Sequence, residues 1–454
     1  MKLFAILLLL GSILAAAECA PSSLGEKETL AKFQELDRRA QSAFERGNYA
    51  AAAQQYGEAA CLVPRSARAF YGLGIAQAAA GRFPAARKAL ESAYAILPDN
   101  VMPLAMLARV EVAMKDINRL KEVLRLAAQR FPNDAELHSG LARFLAESHF
   151  LDLALAESLR FEQTGASDTA SAVALAVLEN GVGAYEDAIR NAQAVVEQSG
   201  VPNAVKASAA GVTGLSYESI GDREQAIKNL TLAIDLAPMQ ENSYLALAYL
   251  YEKGQRFKEA VAILERGRKQ MPESVHFLLP LGSNLVWAEQ YQAAVDVLNE
   301  LLRKTPDAWE AYVRLAEAYR NTGRPNLETD TLRKLAQAKP DYPMVQILTA
   351  RAMLTMYPVD YPAVMLTLAA AEKSAPNDAD TFYLRGKAYT ATGHAQEAVA
   401  AFQRAIELRP MDPSPYYQLG LTYRKLGQAE LARQTLSRME HVKQAANAPR
   451  AGQD

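Results

Sequence analysis

The sequence predicts an all-α protein built as a solenoid of about twelve helix-turn-helix units, and three observations carry the prediction. Prolines recur 34 residues apart, at Pro64, Pro98 and Pro132, at Pro238, Pro272, Pro306 and Pro340, and again at Pro376 and Pro410. A fixed period of this length is the signature of a repeat architecture. One position of every unit holds glycine or alanine. Alanine and leucine recur throughout, and the chain lacks the Val- and Ile-rich alternating runs, bounded by turn residues, that would announce a sheet.

Numbered so that the recurring proline takes position 32, the units read Ala40, Gly74, Ala108, Ala142, Ala176, Gly214, Ala248, Gly282, Ala316, Ala352, Gly386 and Gly420 at position 8. Unbroken small occupancy demands a physical cause. Close approach of two helices supplies it, because a larger side chain would hold the axes apart. Position 20 is alanine in nine units: Ala52, Ala86, Ala154, Ala188, Ala226, Ala260, Ala294, Ala398 and Ala432. Large residues fill the complementary places, with leucine at position 7 in most units and Tyr56, Leu90, Leu230, Leu264, Leu298 and Phe402 at position 24. Small thus faces large across each pair. Between the helices lie Gly47-Asn48, Gly81-Arg82, Gly221-Asp222, Gly323-Arg324, Gly393-His394 and Gly427-Gln428, where glycine permits the left-handed conformation that ends a helix. The proline then stops the second helix, having no amide hydrogen to donate.

This pattern resembles the tetratricopeptide repeat, in which small residues, a leucine, aromatics and a terminal proline stand at these positions. The resemblance covers roughly residues 33 to 445 and implies a right-handed superhelix with a concave groove. Departures are local. The fourth unit lacks its proline and aromatics, the fifth ends at Gly200 without proline, and the ninth has Glu328 where alanine is expected. The tenth is longer by two residues, so that either Ala350 or Ala352 holds its small position.

The expected organisation is a signal peptide at 1–17, a linker at 18–30, four units at 31–166, eight units with a capping helix at 167–445, and a disordered tail at 446–454. Polar, glycine-containing breaks at 164–171 and 199–203 read either as joints or as a longer loop of the fifth unit in one continuous superhelix. The loop reading is preferred, since stacked repeats tolerate insertions. The last helix carries Arg433, Gln434, Arg438, His441 and Lys443, the polar face with which a terminal repeat ends its stack in water.

At the N-terminus, Met1-Lys2 gives a positive start and Leu3 to Ala17 runs without a charge, ending in three alanines. This resembles a secretory signal cleaved after Ala17, because the apolar run is shorter than the roughly 20 residues that span a bilayer. The protein is therefore expected to be exported, periplasmic or secreted. The alternatives are a retained anchor or lipid attachment at Cys19, the latter weakened by Glu18 where a small residue is required. Membrane association is expected only in those two cases.

A formal charge of -2 with dispersed basic residues argues against nucleic acid as a partner. Twelve units leave about 40 residues outside the repeats, fewer than the roughly 50 that a separate catalytic domain needs. The chain carries no His-Glu-x-x-His pair, no phosphate-cradling loop and no paired-cysteine motif, so no catalytic, cofactor or metal residues are assigned and no enzyme is expected. His138 and His149 are expected to be surface or hydrogen-bonded histidines, and Cys61 a small core residue. The sequon Asn229-Leu230-Thr231 falls in mid-helix and is taken as chance.

The resemblance implies that positions 2, 5, 9, 12 and 13 of each first helix face a ligand, with Lys at 5 and Asn at 9 clamping a terminal carboxylate in chaperone-binding members. That clamp is absent. Position 5 holds Tyr71, Leu245, Leu279, Val313, Tyr383 and Tyr417, and position 9 holds Ile75, Tyr249 and Leu421. Such a groove suits an extended hydrophobic segment or an amphipathic helix. Arg109 and Arg143, at position 9 of consecutive units, are placed to meet an acidic group. For any single tyrosine the alternative is packing against the next repeat. The segment from Tyr357 to Pro362 is a second candidate surface, or simply a stiff connection. The expected function is an extracytoplasmic scaffold, an assembly or adaptor factor that binds a protein or peptide without a cofactor. The alternative is a structural spacer or a self-associating component of an envelope complex, with no peptide in the groove.

Overall fold

The computed structural model describes residues 24–342 and 344–447, and among them the regular elements are helices only. The chain divides into two compact units, one ending at Ala237 and the other beginning at Pro238. The first contains six consecutive pairs: α1 (Glu26–Glu45) with α2 (Tyr49–Leu62), α3 (Ala67–Ala79) with α4 (Phe83–Ile96), α5 (Met102–Met114) with α6 (Ile117–Arg130), α7 (Ala135–Glu147) with α8 (Leu151–Gln163), α9 (Thr169–Val182) with α10 (Tyr185–Glu197), and α11 (Asn203–Ser219) with α12 (Arg223–Leu236). The second contains six more: α13 (Glu241–Lys253) with α14 (Phe257–Gln270), α15 (Leu278–Trp287) with α16 (Tyr291–Lys304), α17 (Trp309–Asn321) with α18 (Pro325–Ala338), α19 (Val345–Met353) with α20 (Tyr361–Ser374), α21 (Ala379–Ala391) with α22 (Ala395–Leu408), and α23 (Pro413–Lys425) with α24 (Ala429–Asn447).

The small residues at position 8 are buried in every pair, from Ala40 to Gly420. Each glycine among them lies against the large residue at position 24 of the same pair. A Cβ on Gly74 would stand 2.5 Å from Leu90 Cγ, one on Gly214 2.7 Å from Leu230 Cγ, and one on Gly282 2.5 Å from Leu298 Cδ2. Leu90, Leu264, Leu298, Leu332 and Phe402 are fully buried, and each such side chain contributes about 1.5–3 kcal/mol relative to exposure. Position 20 is buried in all twelve pairs, including the three without alanine there: Leu120, Glu328 and Val364.

The turn between paired helices has a left-handed residue at position 15 in eleven pairs, and in four of them it is not glycine: Lys115 (φ 56°), His149 (φ 63°), Gln255 (φ 56°) and Glu289 (φ 61°). The next residue's amide then closes the helix end, as Arg256 N donates to the Tyr251 carbonyl at 2.9 Å. Side chains of Asn48, Ser66, Asp116, Asp134 and Asp222 cap the following helices. In the second unit the hydroxyls of Tyr244, Tyr312 and Tyr416 each donate to the carbonyl of the proline six residues earlier at 3.1 Å, fastening each first helix to the loop that leads into it.

The irregular pairs resolve in a particular way. The four extra residues near the fifth pair do not lengthen a loop: they add a helical turn to α11, which is 17 residues long. In the tenth pair Ala350 shares a core with Leu368, whereas Ala352 packs with Leu332 and Leu335 of the preceding pair. Ala350 is therefore the small partner, and the two extra residues fall in the turn before α20. Cys61 is not a core residue; it is exposed on α2 and disulfide-bonded. Asn229 is half-buried on α12, its amide donating to the Gln225 carbonyl at 2.8 Å. Arg433, Gln434, Arg438, His441 and Lys443 are all exposed on α24. The expected signal peptide, its cleavage site and Cys19 lie outside the described residues, as does the tail beyond Asn447.

Candidate functional site

Within each unit the first helices of consecutive pairs touch one another: α3 against α5, α5 against α7 and α9 against α11 in the first, α13 against α15, α15 against α17, α19 against α21 and α21 against α23 in the second. Consecutive second helices make no comparable contact. Closer spacing along one side bends a stack toward that side, so the first helices line the inner face of each unit.

Position 9 projects from that face. In the first unit it is Gln41, exposed, then Ile75, half-buried, then Arg109 and Arg143, exposed, then Val177 and Leu215, which are 51% and 43% exposed. In the second it is Tyr249, 54% exposed, then Ser283, Glu317, Arg351 and Lys387, then Leu421, half-buried. The row is thus apolar in stretches and charged between them. Val177 and Leu215 belong to it as fully as Ile75 does; the same position number would have found them.

At position 5, Tyr417 is 46% exposed, and Leu245, Leu279, Tyr71 and Tyr383 are half-buried. Tyr383 stands 6.1 Å from the Phe402 ring, centroid to centroid, and packs into the core of its pair. Burial pushes its phenol up, reinforced by Asp412. Tyr71 is likewise packed on a core, and burial raises its phenol while the charge of Arg109 acts the other way. These two rings are walls rather than free contact surfaces. Trp287, at position 13 of the eighth pair, adds an aromatic surface: its ring carries the Arg314 guanidinium at 4.9 Å, and Arg314 also pairs with Glu317 at 2.9 Å.

Between α5 and α7 the face opens into a cleft of about 190 Å³, with Met102, Ala105, Gly140, Leu141 and Phe144 among its lining and Arg109 at one end. The Arg109 guanidinium lies 4.7 Å from the Phe144 centroid. A second, polar cleft of about 350 Å³ lies beside α9 and α10, lined by Glu162, Asp168, Asn191 and Gln198 among others. It coincides with the 164–171 break between the fourth and fifth pairs. On the turn edge, Tyr357 is 99% exposed.

The buried charges are structural. His138 is fully buried, its Nδ1 2.6 Å from Glu157 Oε2 and its Nε2 3.0 Å from the Phe131 carbonyl, and Arg160 meets the other Glu157 oxygen at 2.5 Å. Glu111, fully buried, takes two hydrogen bonds from Arg87. Each links a second helix to a neighbouring first helix and spends its acceptors internally. Among the described residues no group of three His, Cys, Asp or Glu side chains is placed to hold a metal ion.

Family models described as tetratricopeptide repeat match residues 38–101, 279–343, 78–144, 416–439 and 211–238, and one described as TPR repeat matches 386–427. Together these segments span more than half of the chain. Human tetratricopeptide repeat protein 16 is 25% identical over 219 residues, which is 46% of this chain and 22% of that protein. Among solved structures, a tetratricopeptide repeat protein from Parabacteroides merdae ATCC 43184 aligns at 15% identity and TM-score 0.40, covering 60% of this chain and 98% of that one. YrrB, titled a TPR protein with an unusual peptide-binding site, aligns at 18% identity and TM-score 0.37, covering 42% and 97%. With small–large helix pairs throughout and repeat models matched in segments over more than half of its length, the chain belongs to the tetratricopeptide-repeat family.

Proposed function

We propose that the protein is an extracytoplasmic scaffold, an assembly or adaptor factor that holds segments of other proteins on the first-helix face of its repeat units. The observation that carries the reading is the exposed apolar row at positions 5 and 9: Val177 and Leu215 in the first unit, Tyr249 and Tyr417 in the second. These side chains could have been polar without disturbing any core, since none of them lies in one, and large apolar groups held open on rigid helices are suited to partner contact. The export half rests on the signal-like run from Leu3 to Ala17.

Replacing Tyr249 and Tyr417 with Ser, and separately Val177 and Leu215 with Ser, tests the binding half. Partner capture from the native compartment should fall while the helical spectrum and melting temperature stay unchanged. Capture equal to the parent protein in both double variants would discard the face as the site. Mass spectrometry of the mature protein from its host tests the export half, with Glu18 expected as the first residue and an intact Met1 as the contrary result.

A further inference from the structure

We infer that the cleft between α5 and α7 takes an extended partner segment carrying an apolar side chain and, about three residues away, a carboxylate. The inference rests on the scaffold reading above and specifies the chemistry of its partner.

The two ends of the cleft differ. At one stand Met102, half-exposed on α5, and Glu136, exposed on α7. Seven residues along the same helices stand Arg109 and Arg143, both exposed. Two helical turns separate the ends by about 10 Å, at 1.5 Å per residue. An extended segment covers that distance in about three residues. The floor between them is apolar or small, with Ala105, Gly140, Leu141 and Phe144.

The arginines are the informative part. Elsewhere in this unit Arg68 pairs with Asp37, Arg87 with Glu111 and Asp116, Arg119 with Glu91, and Arg160 with Glu157. Arg109 and Arg143, like Arg38, Arg65, Arg82 and Arg130, form no ion pair among the described residues; what sets these two apart is that they hold position 9 of consecutive first helices. Asp134, which also lines the cleft, caps α7 by accepting from Leu137 N at 2.9 Å. Stacking on Phe144 holds one face of the Arg109 guanidinium and leaves its N–H edge free to donate. A carboxylate between the two arginines would receive charge-assisted hydrogen bonds. Glu136 at the far end repels the same group, so the segment is bound in one direction.

The test uses the full chain and phage-displayed random dodecapeptides, followed by fluorescence polarisation with synthetic peptides of the enriched sequence. Enrichment of Asp or Glu about three residues from Leu, Met or Phe is expected. Changing that peptide Asp to Asn should weaken binding about tenfold or more, as should Arg109→Gln with Arg143→Gln, and the two changes together should cost little more than either alone. Affinity of the parent pair should fall with added salt, and that of the double variant should not. Enriched peptides that lack a carboxylate and bind the double variant equally well would overturn this inference and leave the scaffold reading standing. Absence of any enriched peptide would overturn both.

Discussion

Gly386 lies against the ring of Phe402, so close that a Cβ on the glycine would stand 2.5 Å from Phe402 Cε1. The ring is fully buried and cannot swing into water. Gly386→Ala should therefore cost about 1–3 kcal/mol through overpacking, despite the roughly 1 kcal/mol by which alanine favours helix. Gly57, also helical, has nothing within 4 Å of a built Cβ, and Gly57→Ala should stabilise by up to about 1 kcal/mol. Urea unfolding of both variants checks the contrast in sign.

In eleven pairs position 15 is left-handed, whether or not glycine occupies it. Gln255, at φ 56°, follows Gly254, which has an ordinary φ of -84°. The glycine of this turn thus sits one residue too early to relieve the strain. Gln255→Gly should stabilise the second unit by about 1 kcal/mol, and Glu289→Gly likewise, since a left-handed non-glycine residue costs roughly 1–2 kcal/mol. No gain in the denaturation midpoint would mean that the turn adopts another conformation in solution.

Glu328 places a carboxyl where nine other pairs have alanine, and it is 3% exposed. Burial raises its pKa above the ordinary 4.5, outweighing the opposing charges of Arg320 and Arg351. The folded state therefore binds the proton more tightly than the unfolded chain. Stability is greater with the group protonated, and it declines as pH rises from about 4.5 through the raised folded value. Leu120 shows that the position accepts a fully buried leucine. Glu328→Leu should stabilise the second unit by about 1–3 kcal/mol at neutral pH and flatten that pH slope. Thermal melts between pH 4 and 8 provide the measurement.

Breaking the buried network of the fourth pair should be costly. With His138 replaced by Ala, Glu157 keeps Arg160 but loses its partner inside the core, at about 3–5 kcal/mol. Exchanging Glu157 for Gln should cost less, because the amide oxygen and nitrogen still form hydrogen bonds. Equal losses in the two variants would indicate packing rather than charge.

The packing of this fold was legible because it repeats. Gly74 against Leu90 and Gly386 against Phe402 stand sixteen residues apart on the sequence, and the same spacing recurs from pair to pair. Departures were harder wherever two local outcomes share one composition. The polar stretch at 199–203 reads as loop, yet Asn203 already begins α11, because helix continuity depends on the packing of Ala207, Ala209 and Ala210 beyond it. Lys115 and His149 carry no glycine signal for their left-handed turns. The candidate face was only partly readable for a related reason. Packing constrains position 8 but leaves position 9 free, so sequence named Tyr249 and Arg109 while passing over Val177 and Leu215. It also could not separate Tyr417, which is open, from Tyr383, whose ring lies against Phe402.

The central claim is that partners are held on the first helices. The direct measurement is site-specific photocrosslinking in the native cell, with a benzophenone amino acid at Val177, Leu215 or Tyr249 on first helices, or at Leu232 or Leu366 on second helices. All five positions are exposed, so accessibility does not decide the outcome. Adducts of a common partner from the first three positions, and none from the last two, are the result expected. Adducts formed only from Leu232 or Leu366 would contradict the account and move the binding surface to the opposite side of the repeats.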